Sequence, residues 1–242
     1  KEVTAQLQEL LIYSCQGLAF MAIEARKKGI DTHAENKFIV KSLFMTVTNA
    51  NFDDKAIMAA IRDSIRWRDD LKAKLNNTET KDLITWDVSS DEEMLEKAKH
   101  VGTLTYDQDE DIRALKQYVL FGIKGMSAYA EHAINLGFEQ KDIYHFIQES
   151  LVMITRPASL NAMLEWLLRT GEHGVKVMAL LDQANTSVYG QPEITTVYTG
   201  TRGKPGILVS GHDLKDLEQL LMQTEGKGID VYTHSEMLPA HA

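Results

Sequence analysis

Cysteine is nearly absent: the 242 residues contain one, Cys15. A single thiol excludes an internal disulfide, a four-cysteine zinc site and a complete cysteine-bound iron–sulfur site within this stretch. Any metal chemistry confined to it must use His, Asp and Glu. Basic residues are in deficit, 26 Lys and Arg against 35 Asp and Glu, for a formal charge of -9. That balance argues against sequence-independent nucleic-acid binding, which needs a basic footprint. No apolar run approaches the length of a membrane span. No basic-then-apolar leader opens the chain, so a cytoplasmic location is expected. What is present is ordinary for a globular protein: 44% hydrophobic and 25% charged residues, enough to build a core. The sequence opens on Lys1 rather than Met and stops directly after a strand-and-turn pattern, so a fragment of a longer polypeptide is expected.

Most of the chain carries helical periodicity. Leu7, Leu10, Leu11, Leu18, Met21, Ala22 and Ala25 recur at helical spacing over 5–28, with Gly29 as the stop. Phe38, Ile39, Leu43, Phe44 and Val47 mark a second helix. Asp53 is placed to cap a third, over 55–75, with Ile57, Ile61, Ile65 and Leu71 on one side. The polar stretch 76–111 reads as a charged linker or excursion with one short helix over 92–98. Helical pattern resumes over 112–136, continues over 143–155, breaks before Pro157 and restarts to about Asp182.

An internal repeat underlies this order. A shift of 108 positions without a gap places Gly17 on Gly125, Ala22 on Ala130, Ala25 on Ala133 and Gly29 on Gly137. It also places Phe38 on Phe146, Ile39 on Ile147, Ser42 on Ser150, Leu43 on Leu151, Met45 on Met153 and Ala50 on Ala158. The break at 49–53 falls on the break at 157–161. A duplicated three-helix unit explains these identities; two unrelated helical stretches in chance register are the alternative.

The pattern changes after Asp182. Residues 185–203 are rich in Thr, Gly and Tyr, with a possible strand over 194–198. Gly206–Ser210 is a short apolar run of the buried parallel-strand type, and Gly211 is a turn. A helix opens at His212-Asp213-Leu214 and runs to about Thr224, and 229–233 forms a second strand. This is one β-α-β unit. The fold is therefore expected to be mainly α: two duplicated three-helix bundles (1–75 and 109–184, joined by the charged linker 76–108) in a helical domain over 1–184. The β-α-β unit over 185–242 then begins a Rossmann-like α/β domain. One such unit cannot close a sheet, which again implies further strands elsewhere.

In a β-α-β unit the loops after both strands emerge at the same sheet edge, where ligands of open α/β sheets bind. His212 follows the first strand; His234, Ser235 and Glu236 follow the second. His212 and Glu236 are thus candidates to converge, and an imidazole with a carboxylate suits a first-row transition metal such as iron. The alternative is a helix-capping or hydrogen-bonded histidine of no further consequence. Two ligands are too few for a cluster. Cys15 lies among Leu11, Leu18 and Ala19 and reads as a buried small hydrophobe. His132 and His173 read as surface or core-edge residues of helices. Gly200–Gly206 lacks the spacing of a phosphate loop, and Asp107–Asp111 lacks the Gly and Glu of a calcium loop, leaving a solvated helix start.

Several segments carry a resemblance: GILVSGHDLKDL (206–217), QTEG (223–226) and VYTHSEMLPAH (231–241). LLI (10–12) with GL (17–18), TNANFD (48–53), YAEH (129–132) and KVM (176–178) add to it. Over essentially its whole length the chain resembles the hybrid-cluster protein family, also called prismane protein or hydroxylamine reductase. The resemblance implies two three-helix bundles followed by Rossmann-like domains, and reduction of hydroxylamine, with nitric oxide as a second associated substrate. It implies a cysteine-bound iron–sulfur cluster and a hybrid iron–sulfur–oxygen cluster in the full-length protein. The family's Gly-His-Asp-Leu and Glu-Met-Leu-Pro motifs supply one His and one Glu to the hybrid cluster. These fall on His212 and Glu236 as metal ligands, with Glu236 also beside the substrate site.

The family's cluster cysteines have no counterparts in this sequence, and Cys15 matches none of them. No cofactor is expected on this chain alone, and the isolated chain is expected to be inactive. The implied partners are the remainder of its own polypeptide, a small-molecule substrate and an electron donor. Two other readings stay open: a fragment like the nickel carbon monoxide dehydrogenases, and a cofactor-free helical scaffold or interaction module.

Overall fold

The computed structural model describes residues 2–47 and 51–241. Its elements, in order, are α1 (Glu2–Lys27), α2 (His33–Met45), α3 (Asp54–Leu75), α4 (Asp82–Thr85), α5 (Asp91–Ala98), α6 (Glu110–Asn135), α7 (Lys141–Met153), α8 (Leu160–Tyr189), β1 (Gly206–Ser210), α9 (Leu214–Thr224) and β2 (Asp230–His234). Short 3-10 segments span Thr103–Thr105 and Ser235–His241. The fold is mainly α with one two-stranded parallel sheet, as expected.

The 108-residue shift reappears in the element boundaries. Shifted by 108, α1 becomes 110–135 and α2 becomes 141–153, the bounds of α6 and α7. Gly29 and Gly137, both just past a helix end, share left-handed φ values of 74° and 85°. That backbone conformation favours glycine, which explains why both repeats keep it. Asp53 caps α3 by accepting from the Lys55 and Ala56 amides at 2.9 and 3.2 Å. The repeat position Ala50 and the Thr48–Ala50 part of the TNANFD segment lie outside the described residues.

The chain divides into two compact units, 1–131 with 140–178, and 132–139 with 179–242. In the first, α1 is the central helix. It packs against α2, α3, α4, α5 and α7, and Leu7, Leu10, Leu11, Leu18, Met21 and Ala22 are fully buried. Gly17 is where α4 approaches: a Cβ there would lie 2.2 Å from the Leu83 carbonyl oxygen.

The short helix expected over 92–98 is α5, and the stretch 76–109 holds more besides: α4, a 3-10 turn, and buried Ile84, Trp86 and Met94. The charges lie on the outside, while Ile84, Trp86, Met94 and Ala98 point in. Asp82 fixes it. The carboxylate accepts from Lys97 Nζ at 2.6 Å and from the Tyr13 hydroxyl. Burial alone would raise the Asp82 carboxyl, but these two donors outweigh it and hold it below the usual range. A depressed folded-state pKa contributes stability above the unfolded value of about 3.9, which is lost as pH falls through the folded value. Asp82→Asn is therefore expected to flatten the acid limb of stability below about pH 4. Urea midpoints from pH 2 to 7 check this; an unchanged acid limb would contradict it.

Lys116 is almost fully buried, yet satisfied. Its Nζ donates to the Tyr106 and Arg156 carbonyls at 3.0 and 2.8 Å and to Asp107 at 2.9 Å. It ties the start of α6 to the turn after α7. Asp109 caps α6 through the Asp111 and Ile112 amides, the solvated helix start expected there.

The second unit contains the sheet. The possible strand over 194–198 is not formed: 190–205 is irregular and exposed, with Tyr198 73% accessible. The β-branched residues there find no neighbouring strand to pair with among the described residues. β1 and β2 pair in parallel, from Gly206 opposite Asp230 to Ser210 opposite His234. Among the described residues, no helix is long and apolar enough to cross a membrane.

Candidate metal-ligand site at the strand edge

The parallel register dictates the site. Ser210 and His234 are partners at the ends of their strands, so the residues two beyond each, His212 and Glu236, leave the sheet side by side. Two turns aim them. After β1, Gly211 takes φ 133°, a value that favours glycine, and Asp213 then caps α9. After β2, Ser235 takes φ 53° and turns the chain into the 3-10 segment. Met237, 2% exposed, anchors that segment. His241 closes it, with Nε2 2.5 Å from Thr233 Oγ1.

The result is a contact: His212 Nε2 lies 3.4 Å from Glu236 Oε2. Their side chains are 46% and 56% exposed, so both are open to a ligand. Donor atoms about 2.1 Å from one ion stand about 3.4 Å apart at a tetrahedral angle. The separation of the pair therefore suits two donors to one shared metal ion. Further ligands are needed, since no group of three or more His, Cys, Asp or Glu is arranged for a metal among the described residues. His234, beside Glu236 in sequence, is exposed.

The turn that carries His212 is held from outside the β-α-β unit. Asp213 Oδ1 accepts from the Lys215 and Asp216 amides at 2.8 and 3.1 Å, and Oδ2 lies 2.9 Å from His132 Nδ1. Burial pushes the Asp213 carboxyl up, but His132 and the two amides outweigh it and hold it below the ordinary range. A helical position alone made His132 look like a core-edge residue; its place in the YAEH segment was the available signal. Tyr189 adds a second tether, donating to Glu218 of α9 at 3.1 Å.

Cys15 is fully buried, and burial raises its thiol to about 12. It is a core residue, as expected. A maleimide should leave it unmodified in the folded protein at pH 8 and label one equivalent on denaturation. Rapid labelling of the folded state would contradict this.

The sequence matches the Prismane/CO dehydrogenase family over residues 1–242. The chain belongs to that family. Curated relatives in it named hydroxylamine reductase include one from Parabacteroides distasonis, 50% identical over 98% of this chain, and one from Clostridium perfringens, 48% identical over 99%. A third, from Acetivibrio thermocellus, is 50% identical over 99%. The match covers only 44–45% of the length of these relatives. This prismane-family chain thus spans less than half of each.

Proposed function

We propose that this chain is the helical region and first β-α-β unit of an iron–sulfur hydroxylamine reductase. The reaction is NH2OH + 2 H+ + 2 e− → NH3 + H2O. The observation that carries the proposal is the convergence of His212 and Glu236 at one strand edge. It is supported by near-50% identity to relatives named for that activity, which favours this branch over a carbon monoxide dehydrogenase.

His212 and Glu236 are the residues of this chain that would hold the hybrid iron–sulfur–oxygen cluster. When bound, the cluster supplies Lewis acidity and electrons. The imidazole of His212 would hold iron through a ring nitrogen, a borderline donor suited to that metal. Glu236 offers a carboxylate at the end of a short, exposed segment, where it can bind metal or withdraw toward solvent. As a carboxylate beside the cluster it would also supply negative charge where the reaction takes up protons. Gly211 and Ser235, with left-handed φ values, set the two side chains toward each other before any cluster arrives.

The remaining ligands would come from the rest of the polypeptide, since the one thiol here is buried in the helical core. Exposed Leu208, Leu221, Met222 and Leu238 around the small sheet fit coverage by further elements of that polypeptide. A cysteine-bound iron–sulfur cluster and a separate electron donor complete the reading, and a cytoplasmic setting suits it.

The test compares this 242-residue chain with the full-length protein, both purified anaerobically. The full-length protein should contain iron and oxidise reduced viologen in a hydroxylamine-dependent way. The chain alone should contain no stoichiometric iron and have no activity. Iron bound stoichiometrically to the chain alone, or an iron-loaded full-length protein without activity, would contradict the proposal.

A further inference from the structure

His132 lies outside the β-α-β unit in sequence, near the end of α6, yet its imidazole meets the residue immediately after His212. The contact is short, 2.9 Å from Nδ1 to Asp213 Oδ2, and sheltered, with side-chain exposures of 12% and 17%. Asp213 is engaged at both oxygens. One holds the first turn of α9 through two amides; the other faces His132. The Asp213 side chain thus links three things: the helix start, the turn carrying His212, and the end of α6.

The turn needs such a link. On its N-terminal side His212 follows Gly211, whose φ of 133° gives the backbone freedom. Before that, β1 is held by its ladder to β2. On its C-terminal side the fixed point is Asp213. If Asp213 swings, the His212 peptide swings with it, and the 3.4 Å approach to Glu236 is lost. A ligand shell held by outer hydrogen bonds typically loses 10- to 100-fold in metal affinity or activity when those bonds are removed.

We infer that His132 is a positioning residue for His212, acting through Asp213 to set the imidazole toward Glu236. This rests on the metal role proposed above for His212. In this role His132 acts on the carboxylate that fixes the turn.

The experiment uses the full-length protein in iron-free and iron-loaded forms, with the variants His132→Leu, His132→Asn and His212→Ala. Amide hydrogen exchange over 211–216 is read on the iron-free form. Leu is expected to speed it about tenfold while α1 and α3 keep their protection. Asn places an amide nitrogen near the position of Nδ1 and should restore it. On the iron-loaded form, Leu should lower iron retention about 10- to 100-fold and broaden the Mössbauer signal of the nitrogen-ligated iron, and Asn should largely recover both.

Unchanged exchange and an unchanged spectrum in His132→Leu would overturn the inference. If His212→Ala also leaves iron and spectrum unchanged, the metal reading fails instead, and the exchange result still decides whether His132 holds the turn. Should His132→Leu fail to fold, Asp213→Ser carries the test. It keeps a helix-capping oxygen but removes the acceptor facing His132. The same spectral change with α9 intact is expected, and an unaltered spectrum would overturn the inference.

Discussion

On the function proposed above, replacing His212 by Ala in the full-length protein is expected to cut hydroxylamine reduction by more than the roughly 10- to 100-fold typical of losing an outer-shell partner, and to deplete bound iron. Stability should barely change, because the imidazole is nearly half exposed and packs no core. The separation of effects is the point of the experiment. A structural histidine would cost stability and leave iron in place, whereas a ligand does the reverse. Glu236→Gln keeps the side-chain shape and removes the anion. It should retain more iron than His212→Ala and still lose most activity, because the amide is a poor ligand and a poor proton partner. Iron analysis, thermal melts and viologen-coupled turnover of the two variants check this. Full activity in His212→Ala would refute the assignment.

The second large effect concerns the two glycines that the repeat equates. Gly17→Ala puts a methyl 2.2 Å from the Leu83 carbonyl oxygen and 3.3 Å from Arg68 Cδ. The obstacle at 2.2 Å is backbone, so α4 must move off α1. Overpacking of this kind costs about 3 kcal/mol, or about 6–12 °C in melting temperature for a chain of this size. Gly125 occupies the same repeat position, and a Cβ there would meet nothing within 4 Å. Gly125→Ala should instead stabilise α6 by about 0.5–1 kcal/mol through helix propensity. Thermal melts of the two variants should therefore move in opposite directions. A neutral Gly17→Ala would mean that α4 does not pack where described.

This asymmetry shows what the sequence made legible and what it did not. The repeat was readable from ten identities, and the structure repeats it in the bounds of α1 with α6 and α2 with α7. Those identities mark helix faces and caps, which follow from short-range periodicity. They could not tell why a glycine is present. At 29 and 137 it serves a left-handed turn; at 17 it makes room for α4, an element with no counterpart at the equivalent place in the repeat. Element α5 was legible as the short helix over 92–98, but α4 was not: its one buried side chain, Ile84, shows no period in a charged stretch.

The candidate site was readable further than the fold around it. Parallel pairing forces the residues after β1 and β2 to one edge, so the nearness of His212 and Glu236 follows from recognising two strands and a crossover. The His132–Asp213 contact did not follow, because it joins positions 81 residues apart through tertiary packing. The strand expected over 194–198 failed for the converse reason. Thr and Val content favours extended backbone, but a strand also needs a partner ladder.

The proposed role of His212 and Glu236 is to bind iron together. Anomalous diffraction at the iron edge, from crystals of the full-length protein prepared without oxygen, tests it most directly. Iron is expected within bonding distance of both a His212 ring nitrogen and a Glu236 carboxylate oxygen. Iron peaks elsewhere, with neither His212 nor Glu236 within bonding distance of one, would contradict it.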